Sequence, residues 1–308
     1  MKKTLGITSI SFSKDKKALN QLKKIFKGKI IINDKKRRFK NSELANFMQK
    51  CDYAIIGLDN VNQNLLSNCR KLKVISKYGV GLDNIDFNAC KKYGIKVVYP
   101  KGINKRSVSE EVLGSMLSLM RNLYVSSNNL KNSEWLVNGG EELTKKTVGI
   151  IGVGNVGKDL IDLLKPFRCR ILVNDIINQS RFYKSKGLIK SSKREIFTKS
   201  DIITIHTPLT PKTKNLIDKN CFNIMKKTAF IINTARGGIV NQSDLKYALI
   251  KKKIAGAAID VYEQEPPKDI KLLKLPNLMC MPHIGGNSKE AVSAMGLAAI
   301  NNLIKIIK

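Results

Sequence analysis

Short apolar runs alternate with amphipathic segments along the first hundred residues of the chain. The runs are rich in β-branched residues, as buried strands are, and the segments between them carry apolar residues at helical spacing. Regular alternation of the two predicts a parallel sheet with helices on both faces. The predicted strands are Leu5–Ser9, Lys29–Ile32, Tyr53–Gly57, Val74–Ser76 and Lys96–Tyr99, and the predicted helices are 15–26, 42–51, 61–69 and 86–92.

The same alternation returns in the second half of the chain. Between the two blocks, Ser107–Leu123 predicts a helix capped by Ser107 or Ser109 and apolar enough to require burial, in its own domain or against a second subunit. Lys289–Lys308 predicts a final helix with one apolar face. The chain therefore reads as an α/β protein with two open parallel-sheet domains. The predicted strands of the second block are Val148–Ile151, Arg170–Asn174, Asp201–His206, Ala229–Asn233, Ala255–Asp260 and Leu278–Met281.

A glycine turn follows the first strand of the second block. The strand runs directly into Gly152-Val153-Gly154-Asn155-Val156-Gly157, and a helical pattern follows. The first glycine permits a tight turn, the second lets a pyrophosphate approach the backbone, and the third lets helix and strand pack closely. Asp175 ends the next strand, where a carboxylate accepts hydrogen bonds from ribose hydroxyls and repels the 2′-phosphate of NADP. The pattern predicts NAD as the cofactor.

Composition narrows the class of protein. No run approaches the roughly 18 apolar residues of a membrane span. The N-terminal segment has two lysines and a short apolar run, but it lacks the full apolar region and the cleavage site of a signal peptide. The six cysteines are scattered and form no CxxC pair. We therefore expect reduced thiols in a cytoplasmic protein, with no disulfide framework, no zinc site and no membrane partner.

The formal net charge of +32 has two interpretations. It could attract nucleic acid, a membrane surface or an anionic substrate. It could also reflect a composition rich in Lys, Asn and Ile, with lysines spread from end to end. The clusters Lys35–Arg38 and Lys251–Lys253 are short and contain no aromatic residue, which favours the compositional interpretation and makes a nucleic-acid partner unexpected. Some of the charge can still draw in an anionic substrate.

Polar clusters follow several predicted strands, at the sheet edge where ligands bind in open α/β folds. His283 is a candidate acid/base, and Glu265 could stabilise its imidazolium form, with Glu263 an equal rival on composition. Arg236 suits a substrate carboxylate and the adjacent carbonyl oxygen. His206 precedes Thr-Pro-Leu-Thr-Pro, which favours a loop along the cofactor over direct catalysis. Taken singly, each could also be an ordinary packed or surface residue.

These motifs together resemble the D-isomer-specific 2-hydroxyacid dehydrogenase family, and most closely its D-3-phosphoglycerate dehydrogenase branch. The resemblance implies a Rossmann NAD-binding domain at residues 104–286, inserted in a smaller flavodoxin-like substrate domain of residues 1–103 that the helix 287–308 completes. It also implies a homodimer formed through the helix after Ser107, with Trp135 near that contact. The matching stretches are Lys77–Asp86, Ser107–Glu110, Thr147–Gly157, Asp175, His206–Leu209, Asn233–Gly238, Gly256–Val261, Glu265–Pro267 and Pro282–Gly285.

The resemblance also implies roles for single residues. Arg236, Glu265 and His283 correspond to the family's catalytic trio, which selects Glu265 over Glu263. Asp260 is expected to contact the nicotinamide carboxamide. The other residues expected along the cofactor are Gly152, Gly154, Asn155, Val156, Gly157, Asp175, His206, Thr207, Pro208, Thr234 and Gly285. The loop expected to bind substrate, chiefly through backbone amides, consists of Lys77, Tyr78, Gly79, Val80 and Gly81, although a simple strand-end turn would have the same pattern.

The function implied is NAD-dependent oxidation of a D-2-hydroxy acid, with 3-phosphoglycerate to 3-phosphohydroxypyruvate favoured. Lys77 stands where phosphoglycerate enzymes commonly place arginine, so it would meet a phosphate only as a point charge. The alternatives are another small acid (glyoxylate, hydroxypyruvate, lactate or an acid of a surface-sugar pathway) and an NADH-sensing corepressor built on the same fold. At 308 residues the chain has no counterpart of the C-terminal regulatory domains of some relatives, so we expect no serine feedback.

Overall fold

The structure is a computed structural model that describes residues 2–35 and 37–307. Met1, Lys36 of the short basic cluster and Lys308, the predicted end of the final helix, lie outside the described residues. The chain divides into two units. Unit 1 contains residues 1–104 and 287–308, and unit 2 contains residues 105–286. Both divisions fall within one residue of the boundaries expected from the sequence.

The described residues form parallel strands connected mainly by helices, numbered here in chain order. The strands are β1 Thr4–Ile7, β2 Lys29–Ile32, β3 Tyr53–Ile56, β4 Val74–Lys77, β5 Lys96–Val98, β6 Thr147–Ile151, β7 Arg170–Asn174, β8 Ile189–Lys190, β9 Ile202–Ile205, β10 Phe230–Asn233, β11 Gly256–Ile259 and β12 Leu278–Cys280. The helices are α1 Ile10–Lys14, α2 Lys16–Ile25, α3 Asn41–Met48, α4 Gln63–Ser67, α5 Phe87–Lys92, α6 Lys105–Met120, α7 Leu123–Lys131, α8 Asn155–Leu164, α9 Ser180–Ser185, α10 Lys193–Lys199, α11 Lys219–Ile224, α12 Gln242–Ile250, α13 Ile270–Leu273 and α14 Lys289–Ile307.

Unit 1 is a five-stranded parallel sheet in the order β2-β1-β3-β4-β5. This is the flavodoxin-like order, in agreement with the fold expected for this part of the chain. Residues on both faces of its central strands are buried, including Leu5, Ile7, Ile55 and Ile75. Burial on two faces explains why these strands are nearly continuous apolar runs in the sequence.

Unit 2 is a seven-stranded parallel sheet in the order β12-β11-β10-β9-β6-β7-β8. The chain builds β6, β7 and β8 in one direction, then returns to the other side of β6 with β9 and continues outward to β12. The strand order therefore reverses between β6 and β9, and a crevice beside such a reversal is where ligands bind in open α/β sheets. The glycine turn follows β6 directly, so the fold positions it at this point.

Helix α14 completes unit 1. Within the described residues it is the one helix long and apolar enough to cross a membrane by length and composition alone, although the sequence analysis identified no such run. Met295, Ala299 and Leu303 are buried in the core of unit 1, and the Ser76 hydroxyl donates a 2.8 Å hydrogen bond to the carbonyl of Ala299. These contacts make α14 a core helix of unit 1.

Helix α6 differs from its predicted form at both ends. It begins at Lys105 and ends at Met120, so neither Ser107 nor Ser109 is its cap. The Ser107 hydroxyl instead donates to the Gly285 carbonyl at 2.6 Å. The buried residues of α6 pack against unit 2, chiefly along α8. The helix α7 that follows was not predicted, because none of its residues is buried and its sequence has little apolar periodicity.

Candidate active site

The three glycines of the turn after β6 have different surroundings. Gly152 has a φ of +96°, and a Cβ there would lie 2.7 Å from the backbone of His206. A Cβ on Gly157 would overlap the carbonyl of Gly152. A Cβ on Gly154 would meet no atom within 4 Å. The fold itself thus requires the first and third glycines, whereas the second leaves the backbone open to a group from outside the chain.

The start of α8 and the end of β7 form the two sides of this opening. Gly154 is the N-cap of α8, and no side chain caps the first N–H groups of the helix. The carboxylate of Asp175 accepts the N–H of Val153 at 2.6 Å and the N–H of Ile177 at 2.8 Å. Asp175 is therefore held beside the glycine turn, and its oxygens have lone pairs for ribose hydroxyls as well.

Two threonine hydroxyls at the same sheet edge are buried and unsatisfied. Thr207 follows β9 and Thr234 follows β10, and neither Oγ1 atom has a hydrogen-bond partner within the part of the chain described. A buried hydroxyl without a partner is costly, so each favours a bound polar group. Together with the open glycine turn and Asp175, these hydroxyls fit a dinucleotide such as NAD.

The structure separates the roles of the two histidines. The Nε2 atom of His206 lies 3.0 Å from the Thr204 hydroxyl, and its backbone N–H donates to the carbonyl of Ile151 at 2.7 Å. Burial lowers the pKa of His206 to about 4. The ring is therefore neutral near pH 7, as a packed wall of a cofactor loop would be, and it is poorly suited to exchange protons there.

His283 and Glu265 form a close pair. The Nδ1 atom of His283 lies 2.8 Å from Oε2 of Glu265, with both side chains part-exposed. The other carboxylate oxygen of Glu265 accepts the N–H of Tyr262 at 3.3 Å. Glu263 points elsewhere and accepts the N–H of Gln242 at 3.0 Å. Of the two glutamates that composition could not distinguish, the structure pairs Glu265 with the histidine.

The loop that carries Arg236 is fixed on both sides. The Asn233 side chain donates to the carbonyl of Arg236 at 2.9 Å, and the Arg236 guanidinium donates through Nη1 to the carbonyl of Ala235 at 2.6 Å. A side chain on Gly237 would overlap the backbone carbonyl of Tyr262. The Arg236 loop can therefore pack directly on the segment that leads to Glu265.

Asp260 organises the loop that follows β12. It is buried, and its two oxygens accept the N–H groups of Ile284 and Gly285 at 2.7 and 2.8 Å. Because the Gly285 carbonyl accepts the Ser107 hydroxyl, both backbone groups of Gly285 bond within unit 2. These bonds give Gly285 a packing role, and its place along the cofactor stays a prediction. The contribution of Ser107 was missed, because a serine near a helix start is typical of a cap.

In unit 1, two residues of the predicted substrate loop face inward. Lys77 is 1% exposed, and its ammonium donates to the Gly57 carbonyl and to Oδ1 of Asn84, the latter at 2.9 Å. Tyr78 packs edge to face on Phe12, and burial raises its pKa to about 12. Both side chains hold the interior of unit 1, so the Lys77 ammonium is not placed to meet a substrate phosphate. The Tyr78 N–H, expected to bind a substrate carboxylate, donates to the carbonyl of Ile56 at 2.8 Å.

The other three residues of that loop have the backbone features expected of a carboxylate-binding turn. Gly79 has a φ of +102°, and Gly79, Val80 and Gly81 are half-buried. Within the described ranges, no acceptor takes the N–H groups of these three residues. Backbone amides in this state are suited to a carboxylate. Their contact with a substrate stays a prediction.

Among residues 2–35 and 37–307, no group of three or more His, Cys, Asp or Glu side chains could hold a metal ion. All six cysteines are free thiols. Burial raises the pKa of Cys51 to about 12 and that of Cys69 to about 11, which disfavours the reactive thiolate at both.

Comparison with known proteins identifies relatives over most of the chain. The family model described as "D-isomer specific 2-hydroxyacid dehydrogenase, NAD binding domain" matches residues 113–285. The D-3-phosphoglycerate dehydrogenase of Methanocaldococcus jannaschii is 38% identical over 80% of this chain and 48% of its own length. The human enzyme of the same name is 32% identical over 89% of this chain and 52% of its own length. The chain thus spans about half the length of these relatives.

A solved structure is similar along nearly the entire chain. The D-lactate dehydrogenase of Aquifex aeolicus, crystallised with NAD and lactic acid, has a TM-score of 0.86 and 25% identity. The match covers 99% of this chain and 95% of that one. It therefore extends over both units, whereas the family model covers most of unit 2 alone.

Proposed function

The chain belongs to the D-isomer specific 2-hydroxyacid dehydrogenase family, and we propose that it oxidises 3-phosphoglycerate to 3-phosphohydroxypyruvate with NAD. The observation that carries the chemistry is the 2.8 Å pair of His283 and Glu265. Both follow strands of unit 2, at the sheet edge that also carries the glycine turn. Proton transfer and hydride transfer need these groups on one edge.

In the proposed reaction His283 is the acid/base. Its Nδ1 donates to the Glu265 carboxylate, so Nε2 is the nitrogen that takes the proton of the substrate hydroxyl. Glu265 fixes the ring orientation and stabilises the imidazolium that forms. NAD, held by the glycine turn and Asp175, would supply the hydride acceptor for the oxidation of the carbon that bears the hydroxyl. The reverse reaction returns the same proton from His283.

Arg236 is proposed to hold the substrate and to polarise its oxygen. The guanidinium has five N–H donors in a planar fork, which matches a carboxylate and the neighbouring oxygen. Its anchored loop limits the entropy lost when substrate binds. In unit 1, the backbone amides of Gly79, Val80 and Gly81 are proposed to bind a substrate carboxylate.

The choice of acid rests on the named relatives. Two D-3-phosphoglycerate dehydrogenases at 38% and 32% identity favour 3-phosphoglycerate. The inward position of Lys77 removes the cation first expected to meet the phosphate, so another basic group would have to do so. Glyoxylate, hydroxypyruvate and lactate are the competing substrates. We also propose a homodimer, and a cytoplasmic location in keeping with six free thiols.

A substrate panel tests the proposal. The purified chain is assayed by NADH absorbance for oxidation of 3-phosphoglycerate and D-lactate, and for reduction of glyoxylate and hydroxypyruvate. We expect the highest kcat/KM with 3-phosphoglycerate. The variant His283→Ala should lose about 10²- to 10⁴-fold in kcat, because it lacks the general acid/base, and should still bind NADH.

Three results would change this assignment. A higher kcat/KM for another acid would keep the chemistry and replace the substrate. Near-normal turnover by His283→Ala would remove the assigned acid/base. Salt-sensitive DNA binding with NADH binding and no turnover on any acid would favour the corepressor-like alternative.

A further inference from the structure

Glu111 is a half-buried acid with a buried carboxyl group that the proposed reaction does not use. It lies on α6, and both of its carboxyl oxygens are buried without a hydrogen-bond partner in the described part of the chain. The Oε2 atom of Glu111 and the Oδ2 atom of Asp260 converge on Gly285. A Cβ placed on Gly285 would overlap the first and lie 3.2 Å from the second. Two carboxyl groups therefore share the space under the loop after β12.

Burial and proximity favour a single negative charge on this pair. Burial raises the pKa of Glu111, and the charge of Asp260 raises it further. Asp260 accepts two backbone N–H bonds, which stabilise its ionised form, whereas Glu111 accepts none. The shared proton accordingly belongs to Glu111, whose protonated carboxyl can then donate to an oxygen of Asp260.

The loop above this pair carries the acid/base. His283 has a φ of +57°, a left-handed conformation that a residue with a side chain adopts only when its surroundings enforce it. The next two residues, Ile284 and Gly285, are bonded to Asp260, and Ser107 of α6 holds the carbonyl of Gly285. The position of Asp260 thus helps to set the position of His283.

We propose that Glu111 is a positioning residue, a neutral acid that donates a hydrogen bond to Asp260 and thereby holds the His283 loop in its active conformation. The proposal rests on the proposed function of His283. When Glu111 loses its proton, two carboxylates face each other in a buried site and repel. Asp260 then moves or the His283 loop becomes more mobile, so the reaction slows at the alkaline pH where Glu111 loses its proton.

Other charges near the pair leave this assignment unchanged. The elements packed against α6 are α7, α8, β10 and β11. On α8 the buried Asp159 is already paired with Arg106 and Lys105. The remaining titratable or charged groups on these elements, on the segments that follow β10, β11 and β12, and on α6 itself are Glu110, Tyr124, Lys131, Lys158, Asp162, Arg236, Tyr262, Glu263, Glu265, Lys268, Asp269 and His283.

Three variants separate the proton from the packing. Glu111→Gln keeps a donor to Asp260 and cannot ionise. Glu111→Leu fills the space but removes the donor. Glu110→Gln removes the exposed carboxylate of the neighbouring residue on α6 and serves as the matched control. Oxidation of the best acid of the panel is followed from about pH 6 to about pH 10, a range that extends well above neutral pH.

We expect kcat/KM of the unmodified chain to fall on the alkaline side, and that fall to be absent in Glu111→Gln. At pH values below this fall, kcat/KM of Glu111→Gln should lie within about twofold of that of the unmodified chain. For Glu111→Leu, kcat/KM should be lower by about tenfold or more, because a hydrogen bond to a charged group is missing. Glu110→Gln should follow the unmodified profile. Identical profiles for the unmodified chain and Glu111→Gln would overturn the proposal.

A second measurement does not depend on turnover. The chain has two histidines, so the imidazole NMR signals are readily assigned with a His206→Gln variant. The His283 signal should change on the alkaline side in the unmodified chain, stay constant in Glu111→Gln, and be displaced or broadened at all pH values in Glu111→Leu. No difference among these three would refute the positioning role. Absence of turnover with these NMR changes present would refute only the proposed function.

Discussion

Identical side chains have different chemistry in this chain because their contacts differ. His206 and His283 both follow strands of unit 2. The first is held by Thr204 in a buried position that lowers its pKa to about 4, and the second is paired with Glu265 at a part-exposed position. The same applies to Glu263 and Glu265, two residues apart in sequence, of which one caps the start of α12 and the other binds the histidine.

The lowered pKa of His206 predicts an acid-sensitive fold. The unfolded chain binds a proton at this histidine near its ordinary pKa of 6.5, whereas the folded chain does so only near 4. The free energy of unfolding should therefore fall as pH decreases from about 6.5 to about 4, by about 1–3 kcal/mol from this group. In His206→Gln that part of the fall should be absent. Urea unfolding at several pH values measures it, with pH 8 as the reference, where His206 is neutral in both states. Equal acid slopes in the two proteins would contradict the prediction.

At the scale of elements, the strand β6, the glycine turn and α8 form one unit whose parts have separable functions. The contacts of Gly152 and Gly157 are with the chain's own backbone, whereas Gly154 faces open space. Stability should therefore depend on the first and third glycines, and cofactor affinity on the second. The same local sequence thus encodes both a fold requirement and a binding requirement.

Three alanine variants test this division. Gly152→Ala combines a left-handed backbone with a clash and should cost at least about 2 kcal/mol in the free energy of unfolding. Gly157→Ala should cost about 1–3 kcal/mol, because its Cβ meets a carbonyl that cannot move freely. Gly154→Ala should fold with near-normal stability and bind NADH about tenfold or more weakly, because its methyl group occupies the space of the pyrophosphate.

The three variants control one another. Urea unfolding gives the stabilities, and NADH fluorescence titration gives the affinities. A Gly154→Ala protein that binds NADH normally would show that no phosphate approaches this residue. A Gly152→Ala protein as stable as the unmodified chain would show that the turn relaxes without cost.

At the scale of the whole molecule, an apolar surface follows α7. Trp135, Leu136 and Val137 are 79%, 62% and 89% exposed, and Leu123 and Leu130 of α7 are exposed as well. Contiguous exposed apolar residues of this kind mark an interaction site more often than a free surface. We infer that a second copy of the chain covers them, in agreement with the dimer expected from the family resemblance. This remains a prediction.

Light scattering after size exclusion tests the dimer. The unmodified chain should have about twice the mass of 34.4 kDa calculated for one copy. Val137→Asp should shift the population to monomer, because a charge would be buried in the contact. Ile270→Asp places the same charge on another residue, 55% exposed, of unit 2 and should not shift it. A monomeric unmodified chain would exclude the dimer. Equal masses for Val137→Asp and Ile270→Asp would place the contact elsewhere.

The strands and long helices were predicted well because their signals are local. Apolar runs of β-branched residues locate β1 to β7 and β9 to β12 within one or two residues, with β8 the exception. That strand has two residues, both exposed, and so lacks an apolar signal. Helices α1, α7, α9, α10, α11, α12 and α13 were not predicted, because most are short and their apolar positions are few. Periodicity is informative only where a long face is buried.

By itself the sequence determined the two parallel-sheet units, the glycine turn at the strand reversal and the polar residues that end each strand, because strand period, glycine spacing and connection rules act over short distances along the chain. Tertiary structure alone decided where the side chains of Lys77 and Glu111 lie and which groups the backbone of Gly285 binds. A lysine at a strand end and a glutamate on a helix are ordinarily solvated. Packing between distant segments buries the Lys77 ammonium in the interior of unit 1 and places the Glu111 carboxyl near that of Asp260. Burial and pairing of charged groups depend on neighbours that are remote in sequence, so no local pattern specifies them.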